Sequence, residues 1–146
     1  MILSVLSAGV VAGAFGLLFN VRGKNVLFAG INGSIGYSVF TLIIHLEIAS
    51  FIAMFFASIT MAVFAEIAAR IRKAPASLFL VAALIPIVPG GGIFQFVLYI
   101  LQGLRDAATS TGINALMETG GIAVGVIIVS SVIKMIPRRK TLVHNA

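Results

Sequence analysis

Side chains able to perform acid–base, nucleophilic or metal chemistry are scarce in this sequence. The 146 residues hold four acids (Glu47, Glu66, Asp106 and Glu118), two histidines (His45 and His144) and no cysteine. Without cysteine there is no disulfide, thiolate metal site or cysteine nucleophile. His45 and Glu47 are too sparse for a metal site, and no nucleophile, base and orienting group can be brought to a common depth. Neither catalysis nor a resident cofactor is expected. What remains is a backbone feature, Ile85-Pro86-Ile87-Val88-Pro89-Gly90-Gly91-Gly92. Proline lacks an amide donor and clashes with the preceding turn, while glycines add flexibility and allow positive φ. The run predicts a break that frees carbonyls and amides, and its chemistry is hydrogen bonding to a polar solute.

The elements that position this run follow from composition. The chain is 60% hydrophobic and 10% charged with a mean hydropathy of +1.18, whereas soluble domains are about a quarter charged. Lipid is its solvent. The net charge of +6 and pI near 10.6 do not point to nucleic acid, because the basic residues sit in three short clusters between apolar runs. Crossing about 30 Å of hydrocarbon takes about 20 apolar helical residues. Five stretches qualify: Ile2 to Phe19, Val26 to Ile44, Ile48 to Ala69, Ser77 to Gln102 and Ile113 to Ile136. The fold class expected is all-α, a single polytopic transmembrane domain over 1–146 with five helices, the fourth broken at its Pro/Gly run. No Lys or Arg precedes the first stretch, so it is expected as a retained transmembrane helix and not a signal peptide.

Counting Lys and Arg near the helix ends sets the orientation. With the first loop inside, Arg22, Lys24, Arg70, Arg72, Lys73, Lys134, Arg138, Arg139 and Lys140 are all cytoplasmic, and Arg105, next to Asp106, alone is outside. The N-terminus is then outside and the C-terminus cytoplasmic, in a cell inner membrane. A re-entrant fourth segment would put the Lys134 to Lys140 cluster outside, and is disfavoured.

Unwound backbone at membrane depth is tolerated only where protein buries it or a watery cavity meets it, and transporters build midplane sites from such helices. Pro86, Pro89, Gly90, Gly91 and Gly92 are therefore read as the substrate-binding centre, against the alternative of a plain kink, with Asn32 of the second span and Gln95 of the fourth as polar residues that join it. Ser34, Tyr37, Ser38 and Thr41 form one polar stripe on the second helix, either lining a path or bonding between helices and to backbone. Glu66 and Arg70, four apart at an inner helix end, read as an ion pair or as a gating and proton-coupling pair. Glu118 lies about one and a half turns into the last span near its outer end, where it and Asp106 can be solvated. Gly9, Gly13 and Gly16, then Gly30, Gly33 and Gly36, then Gly121 and Gly125 are packing seams. Gly30 to Gly36 has no preceding strand, and Pro89 to Gly92 no following Lys-Ser/Thr pair, so neither is a phosphate loop. The Pro137 to Lys140 tail is expected as an inner anchor on anionic lipid.

Phe64-Ala65-Glu66-Ile67-Ala68-Ala69-Arg70-Ile71-Arg72-Lys73-Ala74-Pro75-Ala76, followed by the Pro86 to Gly92 run, resembles the small C-terminal half of the threonine/serine exporter family. Phe19-Asn20-Val21 also looks like that family's early segment. The resemblance covers nearly the whole chain and is most specific from Glu66 to Gly92. It implies a secondary exporter of small hydroxy amino acids driven by the proton gradient, paired with a separately encoded larger membrane subunit. Glu66, Arg70, Lys73 and Pro75 match the family's inner-end motif. Alternatives at this level are an exporter of small dicarboxylates such as succinate, a non-transporting assembly subunit and a passive pore. The glycine seams allow a homo-oligomer as readily as a heteromer.

Overall fold

The computed structural model describes residues 1–135, so the expected anchor at Pro137 to Lys140 lies outside the described residues. Six α-helices follow one another: α1 (Ile2–Leu18), α2 (Lys24–His45), α3 (Ser50–Arg72), α4 (Ala76–Leu84), α5 (Gly90–Leu101) and α6 (Arg105–Met135). A 3₁₀ turn, Ile85–Ile87, follows α4. Among the described residues there is no strand. Three helices, α2, α3 and α6, are long and apolar enough to cross a membrane, and four spans result when the pair bent by 51° around the Pro/Gly run counts as one. The fifth expected span, α1, has 17 residues, or roughly 25 Å, the low end for a crossing.

The chemistry of the ends explains where the helices stop. Lys73 takes a left-handed conformation (φ 51°) and the Ala74 amide returns to the Ala69 carbonyl at 3.1 Å; Pro75 then cannot continue the helix. At the end of α5, Gly103 (φ 73°) lets the Leu104 amide reach the Tyr99 carbonyl at 2.9 Å, again a left-handed cap.

The interior is built from small residues. Ala12, Ala29, Ala53, Ala57, Ala65, Ala82 and Ala83 are fully buried, and only Met61 and Phe79 add large side chains of comparable burial from α3 and α4. In lipid the helices gain nothing from excluding water, so close backbone approach must hold them. The expected seams do this. A Cβ on Gly30 of α2 would lie 3.0 Å from the Gly9 carbonyl oxygen of α1, and one on Gly121 of α6 would lie 2.7 Å from the Phe51 carbonyl oxygen of α3. Large apolar side chains such as Leu3, Leu17, Leu101 and Leu116 cover the outside, the arrangement expected of a surface facing acyl chains.

These contacts also fix the path of the chain. Gly121 faces Phe51 and Phe55, and Gly125 faces Phe55, Ser58 and Ile59, so α6 runs parallel to α3. The segment from α4 to α5 must then carry the chain from one end of the bundle to the other; a hairpin returning it would make α6 antiparallel. Arg72 of α3 donates from Nε to Asn25 Oδ1 of α2 at 2.8 Å, with its guanidinium 5.7 Å from the centre of the Phe28 ring. That tie gathers Arg22, Lys24, Arg70, Arg72 and Lys73 at one end, and the parallel course of α6 brings Lys134 there too.

Candidate functional site

The Pro/Gly run breaks the fourth span as expected, but its geometry differs from the expectation in one respect. The 3₁₀ turn ends at Ile87, Val88 is extended (φ −60°, ψ 133°), and Pro89 (φ −75°, ψ 54°) precedes the first turn of α5. Gly90, Gly91 and Gly92 are themselves that first turn and none has a positive φ. Proline is the reason for the correction: Pro89 halts the incoming turn and its fixed φ suits the start of a helix, so the glycines need no left-handed geometry.

Steric crowding does not explain the glycines either. A Cβ on Gly90 or Gly91 would meet nothing within 4 Å, and one on Gly92 would meet only the Ala115 Cβ at 3.7 Å. The Gly90 amide returns to the Val88 carbonyl at 2.7 Å and the Ile93 amide to Pro89 at 3.1 Å, while no side chain caps the helix. The Gly91 and Gly92 amides therefore open α5 with no carbonyl of their own, as first-turn donors do. The result is a bare helix N-terminus, positive through the helix dipole, with open space beside Gly90 and Gly91. Behind it, Ile87 is buried in a cluster with Met54, Ala57, Met61, Ala83 and Ile122, which anchors the break in the core. Beyond it, α5 packs against α6 and contributes no buried residue.

The other expected residues are not brought to this point together. Gln95, one turn into α5, is exposed. Asn32 is sealed inside: wholly buried, it donates from Nδ2 to the Met61 carbonyl of α3 (3.2 Å) and the Phe79 carbonyl of α4 (3.3 Å), while its Oδ1 has no partner. Asn32 thus staples α2, α3 and α4 together. Its link to the break is indirect, through α4. Glu66 is half-buried and Arg70 exposed on the cationic end of α3, and no ion pair within 4.0 Å joins them. The Lys24 end of α2 takes its contact from Arg72 instead, a role that the spacing of Glu66 and Arg70 did not signal. Three hydroxyls of the α2 stripe donate to backbone carbonyls. Ser38 donates to the Ser34 carbonyl (2.7 Å), Thr41 to that of Tyr37 (3.0 Å), and Ser34 to the Val5 carbonyl of α1 (3.2 Å). These hydroxyls are spent on backbone.

Glu118 lies beside the start of α3, on a helix that begins earlier than expected. Because α6 begins at Arg105, eight residues before the expected span, Glu118 stands thirteen residues into the helix. It lines a cavity of about 180 Å³ with Ala49, Ser50, Phe51, Asn114 and Met117. The run Arg105 to Gly112 is too polar to read as part of a span, which hid the start of the helix. Among the described residues no group of acids and histidines is placed to hold a metal ion.

Comparison with known proteins adds the family. A protein of Haemophilus influenzae described as an uncharacterized protein is 27% identical over 126 residues, which cover 84% of this chain and 42% of that protein. The chain therefore spans about two fifths of the length of the curated relative it matches. No solved structure matches. The sequence model of the family described as "Threonine/Serine exporter, ThrE" matches residues 4–132. That match takes in every helix from α1 to α6, and the broken α4–α5 span with them: the chain belongs to the threonine/serine exporter family.

Proposed function

We propose that this chain is one module of a secondary exporter of small polar metabolites, threonine and serine foremost, driven by the proton gradient and acting with a separately encoded larger membrane subunit. The observation that carries the reading is the bare N-terminus of α5 at the break, where the Gly91 and Gly92 amides have no carbonyl partner and a Cβ on Gly90 or Gly91 would meet nothing within 4 Å. Such a terminus receives a carboxylate without any cationic side chain. Pro86 and Pro89 create it, and the glycines keep it accessible. Gln95, exposed one turn along α5, meets the solute as it enters, and Asn32 holds α4 in register behind it. Glu66 and Arg70 belong to the inner mouth, as a gate and proton-coupling pair. The five crossings of this reading include α1, and the cationic end is cytoplasmic, with the N-terminus outside, in the cell inner membrane.

The larger subunit is supported by the relative's length, more than half of which lies beyond the match. A dicarboxylate such as succinate would also be drawn to a helix N-terminus, so the test must separate the two solutes. Cells preloaded in parallel with threonine, serine and succinate are followed for efflux with this chain, the larger subunit, or both. Export of threonine and serine by the pair alone, stopped by an uncoupler, is the expected result. Unsaturable flux that ignores the proton gradient would make the chain a pore. Loss of complex formation without change in solute preference, on substituting Pro86 to Gly92, would make it an assembly subunit.

A further inference from the structure

We propose that the open groove between α1 and α2 is a binding site for an anionic phospholipid, with one acyl chain lying in the groove and the headgroup held at its mouth by Arg22 and Lys24. The site is independent of which solute the protein carries; it shares with the exporter reading only the cytoplasmic placing of the cationic end.

The first argument is the lining. The groove holds about 420 Å³, within the roughly 300–1,000 Å³ of clefts that take small ligands. Gly9 and Gly13 of α1 and Gly30 of α2 form its floor, and the exposed side chains of Val10, Leu27 and Ile31 its rims. Ser34, which carries its one hydroxyl, spends it on the Val5 carbonyl at 3.2 Å. A guest finds aliphatic contact along the whole length and no free hydroxyl, which suits a hydrocarbon chain and not a polar solute.

The second argument is the charge at the mouth. Lys24, Leu27, Ile31 and Ser34 are spaced i, i+3, i+7 and i+10 and so share one face of α2. The lysine therefore stands on the groove's own face, at the end where its lining begins with Val26. Its stem can lie along Leu27 while the ammonium reaches the headgroups. Arg22 is exposed in the loop just before it, and Asn20 Oδ1 accepts a hydrogen bond from its Nε at 3.0 Å. That bond fixes the guanidinium by its inner nitrogen and leaves both Nη groups to take a phosphate. Glu66 is the one acid of this end, where Arg22, Lys24, Arg70, Arg72, Lys73 and Lys134 gather. An apolar channel with a cationic mouth complements a molecule that is apolar along its length and anionic at one end.

The third argument is length, which separates a lipid from a helix of another chain. From Val26 to Ile35 the lining rises about 13.5 Å, close to one leaflet, half of the roughly 30 Å of hydrocarbon. A transmembrane helix would call for a seam along the full crossing. By the positive-inside rule the mouth faces the cytoplasm, and the leaflet on that side carries the anionic lipids.

The test places the full chain in nanodiscs of phosphatidylcholine mixed with phosphatidylglycerol and counts the lipids it retains by native mass spectrometry. Phosphatidylglycerol should be retained in preference to phosphatidylcholine. Arg22→Gln with Lys24→Gln should lower that preference by about thirtyfold, each basic residue at a membrane surface contributing roughly fivefold. Lys73→Gln with Lys134→Gln removes the same charge from α3 and α6, away from the groove, and should leave it nearly unchanged. A Cβ on Gly13 makes only ordinary contact, with Val26 Cγ1 at 3.8 Å, so Gly13→Leu extends into the groove and should expel the lipid although every cation remains. Thermal unfolding in phosphatidylcholine alone checks that this variant folds; Val10→Phe, on the exposed rim, blocks the groove should it not. Equal losses from the two charge pairs would overturn the site in favour of diffuse attraction to the surface. Full retention in both groove-filling variants would overturn it as well. A groove-filling variant that keeps its phosphatidylglycerol but no longer co-purifies with the larger membrane subunit would make the groove a protein interface, and would also overturn it.

Discussion

Replacing Gly90 separates what holds the protein together from what lets it work. A Cβ there meets nothing within 4 Å and the residue is helical with a negative φ, so alanine fits without strain. Gly→Ala at a compatible helical position stabilises by about 0.4–1 kcal/mol, mostly by reducing the freedom of the unfolded chain. The helix dipole is untouched. Gly90→Ala should therefore be as abundant as the wild type and slightly harder to denature. Gly90→Leu should also insert, since the space in front is open, but its side chain extends over the Gly91 and Gly92 amides. A hydrogen bond to a charged group is worth about 1.5–3 kcal/mol, so blocking one solute carboxylate should cut export by roughly tenfold to a hundredfold at subsaturating solute. The assay pairs thermal unfolding in detergent with efflux from preloaded cells. Normal efflux from Gly90→Leu at normal abundance would refute the assignment of the break as a solute site. A destabilised Gly90→Ala would refute the premise that this glycine is sterically idle.

The same exchange at Gly36 should have the opposite outcome: a Cβ there runs into the Met61 side chain, so Gly36→Ala should destabilise by about 1–3 kcal/mol, recovered in part by Met61→Ala when unfolding is measured on both. Asn32→Asp places an acceptor-only carboxylate against the Met61 and Phe79 carbonyls, and should leave little folded protein in the membrane by immunoblot, a loss on the order of 3 kcal/mol or more. Asn32→Ala forfeits two interhelical bonds of roughly 0.6 kcal/mol each and should remain folded. Since the chain has no cysteine, Lys24→Cys and His45→Cys can be labelled cleanly in intact cells with an impermeant maleimide. Labelling of the second and protection of the first is expected, and the reverse would invert the proposed orientation.

How much was legible in the sequence depends on whether the information lay in side-chain type or in backbone partnership. Hydropathy located α2, α3 and the fourth span to within a few residues, because lipid imposes one requirement along each whole crossing. Pro86 and Pro89 announced the break for an equally local reason. The hydroxyl stripe of α2 was visible as a pattern, yet its meaning was not, since Ser38 and Thr41 turn back onto carbonyls that every helix carries. Asn32 illustrates the same limit, for its two partners are main-chain oxygens of α3 and α4 that no residue pattern marks. The start of α6 was missed because Arg105 to Gly112 reads as a loop when judged by polarity, although it is helical and packs its Gly112 against Phe96 of α5.

The two halves of the broken span are held in different ways. On one side, α4 is locked: Phe79 is buried between α2 and α3, where it receives the Asn32 hydrogen bond and stacks edge-on with Phe28 at 6.3 Å. On the other, α5 buries no residue and leans on α6. Elements with few buried contacts open at the lowest free-energy cost, so movement at the break falls to α5, with Val88 and Pro89 as the joint. The Gly91 and Gly92 amides travel with α5, whereas Glu118 stays with α6 against α3, held by the close approaches at Gly121 and Gly125. A solute that favoured one placement of α5 over another would shift that balance by differential contact alone, and in the placement seen here Gly92 rests on Ala115.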